Sequence, residues 1–220
     1  MMVSGIDEAG RGSVIGPLVV AGVLFKEKDL PNLVDLKVKD SKLLTPQKRI
    51  ELSVKIREMA LICHTIFLTP AEIDKVVESK RKLHKLNRLE AKAMAKIITI
   101  LKPDLVYVDA SDIIAERFGE HIAELLDFMP KIVSEHKADL TYPIVSAASI
   151  IAKVERDQAI SQLQKRYSNL GCGYPSDPKT IKFLEDWKIK FGAYPYFVRK
   201  SWKTAKRIES KIDSKQKKLF

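Results

Sequence analysis

Apolar residues at the start of this chain fall into two short runs of strand character. Met2 to Asp7 is one; Pro17 to Phe25 (PLVVAGVLF), rich in Val, Leu and Phe, is the other. Both read as buried strands of an opening hairpin, joined by the glycine-dense turn Gly10–Arg11–Gly12. Thr45–Pro46 then predicts a helix start, because Thr offers an N-cap oxygen and Pro has no N–H to leave unpaired. That helix is expected to reach Ala60, with Ile50, Val54 and Ile56 inward. Leu61 to Leu68 is β-branched enough for a third strand, ended by Thr69–Pro70. From Leu83 to Leu101 the apolar positions Leu86, Leu89, Ala93, Ile97 and Ile100 recur at helical spacing, and Pro103 closes that helix. Asp104 to Asp109 (DLVYVD) is a fourth strand ending in a carboxylate. A helix over Ile113–Leu126, a fifth strand over Lys131–His136 and a long helix over Pro143–Tyr167 complete the series. Helix and strand alternating after a hairpin predict an α/β fold, a mixed five-stranded sheet flanked by helices.

Beyond Gly171–Tyr174–Pro175 the texture changes. Ser176–Lys190 and Arg199–Ile212 read as surface helices dense in Lys and Arg, carrying Trp187 and Trp202. The expected organisation is a core domain over 1–170, a basic helical appendage over 171–213 and a frayed tail over 214–220. Hydrophobic residues make up 45% of the 220, enough for a real core. The apolar runs are too short to span a bilayer, and the start lacks the pattern of a signal peptide. Two cysteines, Cys63 and Cys172, stand far apart in no metal-ligand spacing and read as reduced thiols of a cytoplasmic protein. No heptad or self-complementary feature is evident, so a monomer is expected. The net charge of +11 shifts the picture most, because it suggests a polyanionic partner. A generally solvated basic surface is the other reading, and charge alone does not separate them.

Four acids fall at ends of apolar segments: Asp7, Glu8, Asp109 and Asp139. An acid at the end of a strand stands at the rim of the sheet, where ligands commonly bind. Carboxylates gathered in one spot repel unless a cation or proton neutralises them. All-oxygen donors without His or Cys suit Mg²⁺ or Mn²⁺. Taken singly, each acid is better read as a cap of a turn or helix, and Asp112 is a candidate N-cap for the helix that follows it.

The motifs alter that balance. Gly5-Ile-Asp-Glu-Ala-Gly-Arg-Gly12 (GIDEAGRG) followed by Gly16-Pro17, then Asp40-Ser-Lys-Leu43, Tyr107-Val-Asp109, and His136-Lys-Ala-Asp139 come in order. Ser146-Ala-Ala-Ser149, Ala152-Lys153 and Gly173-Tyr174-Pro175-Ser176 follow. In this order they resemble the signatures of the ribonuclease HII family over nearly the whole chain, and the compact HKAD form resembles its archaeal members. The resemblance implies an RNase H-like fold. It also implies endonucleolytic cleavage of RNA in RNA/DNA hybrids, and incision at single ribonucleotides in duplex DNA, leaving 3′-hydroxyl and 5′-phosphate ends. Asp7, Glu8, Asp109 and Asp139 would then be the catalytic acids holding Mg²⁺ or Mn²⁺, two ions during catalysis. Ser13 departs from the family's usual proline, which puts the local turn geometry in question.

Beside the acids, the resemblance implies substrate contacts at Gly10, Arg11, Gly12, Ser41, Lys42, Lys137, Lys153 and Tyr174. Glycines let backbone amides approach nucleic acid closely, and Arg11 offers a fork of donors. The GRG segment would sense the 2′-hydroxyl, and Tyr174 would stack beside the ribonucleotide. The bland readings are a tight turn, a core tyrosine and solvated lysines. Gln216-Lys-Lys-Leu-Phe220 (QKKLF) resembles the start of the box that docks replication proteins on the sliding clamp PCNA, although the usual aromatic pair after it is missing. A frayed basic tail is the alternative. Two further readings stay open at this point: a non-catalytic nucleic-acid binder, and a ribonuclease HIII that does not cut at a lone ribonucleotide.

Overall fold

The computed structural model describes residues 1–36, 38, 44–80 and 85–216, with residues 215 and 216 described by backbone alone. Five strands form one sheet: β1 (Met2–Ala9), β2 (Leu18–Lys26), β3 (Ile62–Leu68), β4 (Leu105–Asp109) and β5 (Lys131–Glu135). Their order is β3-β2-β1-β4-β5. β1 and β2 pair antiparallel, Met2 opposite Lys26 and Ala9 opposite Val19. β1 pairs parallel with β4, and β4 with β5. The expected mixed five-stranded sheet is present, with the hairpin strand β1 at its centre. The helices of the described residues are α1 (Pro31–Asp35), α2 (Pro46–Met59), α3 (Pro70–Val77), α4 (Lys85–Leu101), α5 (Ala115–Ala123) and α6 (Ala138–Thr141). After them come α7 (Pro143–Arg166), α8 (Pro178–Phe191) and α9 (Lys203–Gln216).

By contacts the chain forms two compact units. One holds Met1–Ala9, Val19–Phe67 and Lys82–Glu155; the other holds Gly10–Leu18, Leu68–Arg81 and Arg156–Phe220. The later division falls at Arg156 within α7, and the second unit takes in two earlier segments.

In the first unit, strand alternation assigns the faces of the sheet. Val3, Ala21, Val23 and Phe25 share a buried cluster with Leu33 of α1, Leu52 and Ile56 of α2, and Ile144, Ala148 and Ile151 of α7. The opposite face carries α4: a Cβ on Gly22 would lie 2.4 Å from an Ile97 methyl and 3.0 Å from one of Leu101. α5 closes on β5, where a Cβ on Gly119 would lie 3.0 Å from that of Ser134. Helices thus flank both faces. The second unit has its own core, with Val14, Ile15, Ile160, Leu184, Phe197 and Ile208 among its buried residues.

Several expectations need correction. Ile50 and Val54 of α2 are exposed, while Leu52 and Ile56 are buried. Both pairs have helical spacing, and only packing on the sheet selects between them. Ile100 is likewise exposed and Leu101 buried. α5 starts at Ala115, so Ile113 lies outside it at 91% exposure. Trp202 precedes α9 instead of lying on it. α3 was not anticipated, although Thr69 and Glu72 form a reciprocal capping box at its start. Among the described residues, no helix is long and apolar enough to cross a membrane.

Asp112 has a structural task, though not as the residue directly before α5. Its buried carboxylate accepts from Arg117 Nε at 3.2 Å, from Arg117 Nη2, and from the Ile114 amide at 3.3 Å. Burial pushes its pKa up, but hydrogen bonds from Arg117, Asn87 and the Ile114 amide outweigh it and hold the group well below the usual carboxylate range. A depressed folded pKa stabilises above the unfolded value and is lost as pH falls below about 4. Arg117→Met is expected to cost about 2–3 kcal/mol at pH 7 and clearly less at pH 3. Urea unfolding at the two pH values measures this, and an equal cost at both would contradict it.

Candidate active site

The acids gather where β1 and β4 end. Gly5 stands opposite Tyr107 and Ile6 opposite Val108. One step further along this parallel register sets Asp7 beside Asp109, on the face covered by α7, about 4.8 Å apart strand to strand. Alternation directs Glu8, the next residue of β1, to the other face, and it is only half-buried. The Glu8 amide donates to Asp7 Oδ1 at 2.7 Å.

α7 supplies the neutralising groups. The Lys153 ammonium donates to Ser149 Oγ, and Ser149 in turn hydrogen-bonds Asp7. Asp7 is buried, and burial pushes its pKa up, with the charge of Asp109 adding to the effect. Lys153, Ser149 and the Glu8 amide pull the other way, and the carboxyl settles at about 7. A carboxyl this perturbed in a cluster of like charges marks a candidate functional site.

Asp109 also links β4 to α6, its Oδ1 accepting from the Ala138 amide at 3.0 Å. That bond brings the next residue, Asp139, buried in the first turn of α6, close to Asp109. Asp139 therefore sits on a short helix after β5, not at the end of a strand. Lys137 precedes it in a left-handed conformation, φ 57°, with its side chain exposed. Among the described residues, no three His, Cys, Asp or Glu side chains stand close enough together to hold one ion as they are.

The second unit organises the GRG segment and Tyr174. Gly10 has φ +86°, and a Cβ there would meet Pro17 O at 2.9 Å and Arg156 Cγ at 3.2 Å, so this turn requires glycine. A Cβ on Gly12 would meet nothing within 4 Å. The Ser13 hydroxyl and amide both donate to Gly10 O, at 2.8 and 3.2 Å. Serine thus closes the turn with two bonds that a proline could not make. The Val14 and Ile15 amides donate to Gly173 O, tying the segment to the residue before Tyr174.

Two buried arginines escaped the sequence reading. Arg199 donates to Gly16 O at 3.1 Å and Arg11 O at 2.9 Å. Arg156 lies 4.4 Å from the Tyr174 ring centroid and donates to Cys172 O at 2.6 Å. A signal for Arg156 was available. Ser146, Ser149, Lys153 and Arg156 follow one another at spacings of three, four and three, a polar stripe that starts in the apolar first half of the helix. Arg199 left no such signal. Ser41, Lys42 and Lys217 to Phe220 lie outside the described residues, as does the side chain of Gln216.

Comparison with known proteins fits this geometry. The sequence pattern of ribonuclease HII matches residues 4–205. The chain belongs to the ribonuclease HII family. It is 49% identical over 218 residues to a ribonuclease HII of Thermococcus sibiricus, covering 98% of this chain and 95% of that one. Its fold is similar to the crystal structure of the ribonuclease H2 from Pyrococcus horikoshii, with a TM-score of 0.89 and 42% identity over 97% and 99% of the two chains. It is also similar to the ribonuclease HII of Archaeoglobus fulgidus solved in a complex with PCNA, with a TM-score of 0.84 and 42% identity over 94% and 96%. Family membership makes the chain a ribonuclease H, an endonuclease that cleaves RNA in RNA/DNA hybrids. It sets aside the reading as a non-catalytic binder.

Proposed function

We propose that this ribonuclease HII hydrolyses the phosphodiester at ribonucleotides within duplex DNA, down to a single one, as well as in longer hybrids. The observation that carries the catalytic part is buried Asp7 set beside half-buried Asp109: burial, with the charge of Asp109 adding to it, pushes the Asp7 carboxyl up to about 7. Such a pair is costly unless a cation neutralises it, and its donors are hard oxygens, as Mg²⁺ or Mn²⁺ prefers. Asp7, Glu8, Asp109 and Asp139 would hold the metal. Divalent ions bound there supply an activated water and offset charge on the phosphate and leaving oxygen. Ser149, itself bonded by Lys153, would help hold the Asp7 carboxyl in one orientation. Addition of water at phosphorus with loss of the 3′ oxygen leaves 3′-hydroxyl and 5′-phosphate ends.

Selectivity for the ribonucleotide is assigned to Gly10, Arg11, Gly12 and Tyr174, with Lys42, Lys137 and Lys153 contacting phosphates and Ser41 also contacting the substrate. Within the second unit, Arg156 acts as a positioning residue: it touches the Gly10 turn on one side and the Tyr174 ring on the other. Arg156→Lys, which loses the guanidinium plane, is expected to raise KM on a single-ribonucleotide duplex about tenfold. kcat on a long hybrid should move much less. Equal losses of kcat on both substrates would mean that Arg156 serves only the fold.

The deciding experiment incubates the protein with a duplex carrying one ribonucleotide, with Mg²⁺, Mn²⁺ or EDTA. Incision at the ribonucleotide that needs the metal supports the reading. Cleavage of hybrids without cleavage at the lone ribonucleotide would limit the activity to hybrids. We further assign Gln216–Phe220 to sliding-clamp binding, supported by the sequence resemblance and by the relative solved with PCNA. The enzyme would act as a monomer in the cytoplasm.

A further inference from the structure

The second unit carries an open cleft of roughly 620 Å³ that none of the proposed catalytic or substrate-contact residues lines. Its wall is aromatic: Phe183, Trp187 and Phe191 follow one another at four-residue spacing along α8, and Tyr167 stands beside them. Trp187 lies 5.5 Å from Phe183, 4.6 Å from Phe191 and 5.5 Å from Tyr167, ring centre to ring centre. Thr180 and Leu184 are the buried residues of α8, and Phe183 and Tyr167 pack partly against the same core at Phe197. Phe191, at the end of the row, leaves 55% of its surface to solvent.

The rim is cationic. Arg166, Lys179, Lys182 and Lys190 line the cleft against a single lining acid, Asp186, which Lys182 already pairs at 3.4 Å. The remaining three cations face the opening without a carboxylate partner among the described residues. Flat apolar faces edged by surplus positive charge match a ligand that alternates flat rings with phosphates. Paired bases in a duplex keep their faces stacked on one another, so the matching form is an unpaired strand. An acidic peptide would satisfy the rim but leave the aromatic wall without stacking partners.

We propose that this cleft binds single-stranded nucleic acid, with bases on Trp187 and Phe191 and phosphates on Arg166, Lys179 and Lys190. It would hold an unpaired extension of a substrate independently of the four acids. The test is fluorescence anisotropy of the full chain with a labelled oligothymidylate about 12 nucleotides long, across a salt series. Lys179→Glu combined with Lys190→Gln should weaken binding about tenfold or more and flatten its salt dependence. Phe191→Ala, at an exposed ring, should weaken it about fivefold and leave the salt slope unchanged. Both variants should cleave a blunt hybrid within about twofold of the unmodified protein. Asp7→Asn should bind the oligonucleotide normally while failing to cleave, which keeps this site's test separate from that of the acids. Absent binding, or binding that neither variant alters, would overturn the proposal. Equal competition by polyglutamate in both the unmodified protein and Phe191→Ala would overturn it too, by reducing the cleft to charge alone.

Discussion

Replacing Asp7 by Asn is expected to abolish hydrolysis, by about a thousandfold or more, while making the metal-free protein harder to unfold above neutral pH. The two effects share one cause. Asp7 is buried beside Asp109, and its carboxyl is pushed up from 3.8 to about 7. Between those values the folded protein keeps a proton that the unfolded chain releases. Stability therefore falls as pH rises from about 4 to 7 and stays low above it. Asn has nearly the same shape and no charge, so it removes the penalty without opening a cavity. The gain at pH 8 is on the order of 2–4 kcal/mol, and it should vanish near pH 4. Urea unfolding in EDTA at both pH values measures it, and cleavage assays in Mg²⁺ and Mn²⁺ measure the loss. A variant no more stable than the parent at pH 8 would refute the electrostatic account. Full activity in Asp7→Asn would refute the proposed metal site.

That trade-off was only partly legible in the sequence. The acids could be found because motifs and strand ends pointed to them, and the sheet class followed from the alternation of periods. The face each acid takes could not be found, because it depends on register: Asp7 meets Asp109 only once Gly5 is set opposite Tyr107. The same limit explains α2, where Ile50/Val54 and Leu52/Ile56 make equally regular stripes and the sheet buries the second. Lys153, a substrate contact by resemblance, also has its ammonium on Ser149 and acts on Asp7. Its partners come from spatial neighbours, which a linear reading does not see. Arg199 is the extreme case, joining residues 183 and 188 positions away in the chain.

Gly5→Ala is expected to cost more than about 4 kcal/mol, and any folded protein that remains should cleave about a hundredfold more slowly. The backbone of Gly5 is not in a left-handed conformation, so the cost comes from close approach, not from strain. A Cβ there would stand 2.3 Å from Ile144 O, 2.4 Å from its carbonyl carbon and 2.7 Å from the Val145 nitrogen. All three atoms are backbone at the start of α7, which cannot turn aside as a side chain would. Ordinary contact would require the helix to retreat by roughly 1 Å, in an interior packed too densely to absorb the shift. The same helix carries Ser149 and Lys153 to Asp7, so a retreat loosens the carboxylate on which the proposed chemistry depends. Gly12→Ala is the control, because a Cβ there meets nothing within 4 Å. It should leave stability within about 0.5 kcal/mol, or raise it slightly, while lowering activity on a single-ribonucleotide duplex. Thermal unfolding of both variants beside cleavage rates would separate a glycine needed for packing from one needed for substrate. A Gly5→Ala protein that melts with the parent would show that α7 is not held against β1 as closely as described.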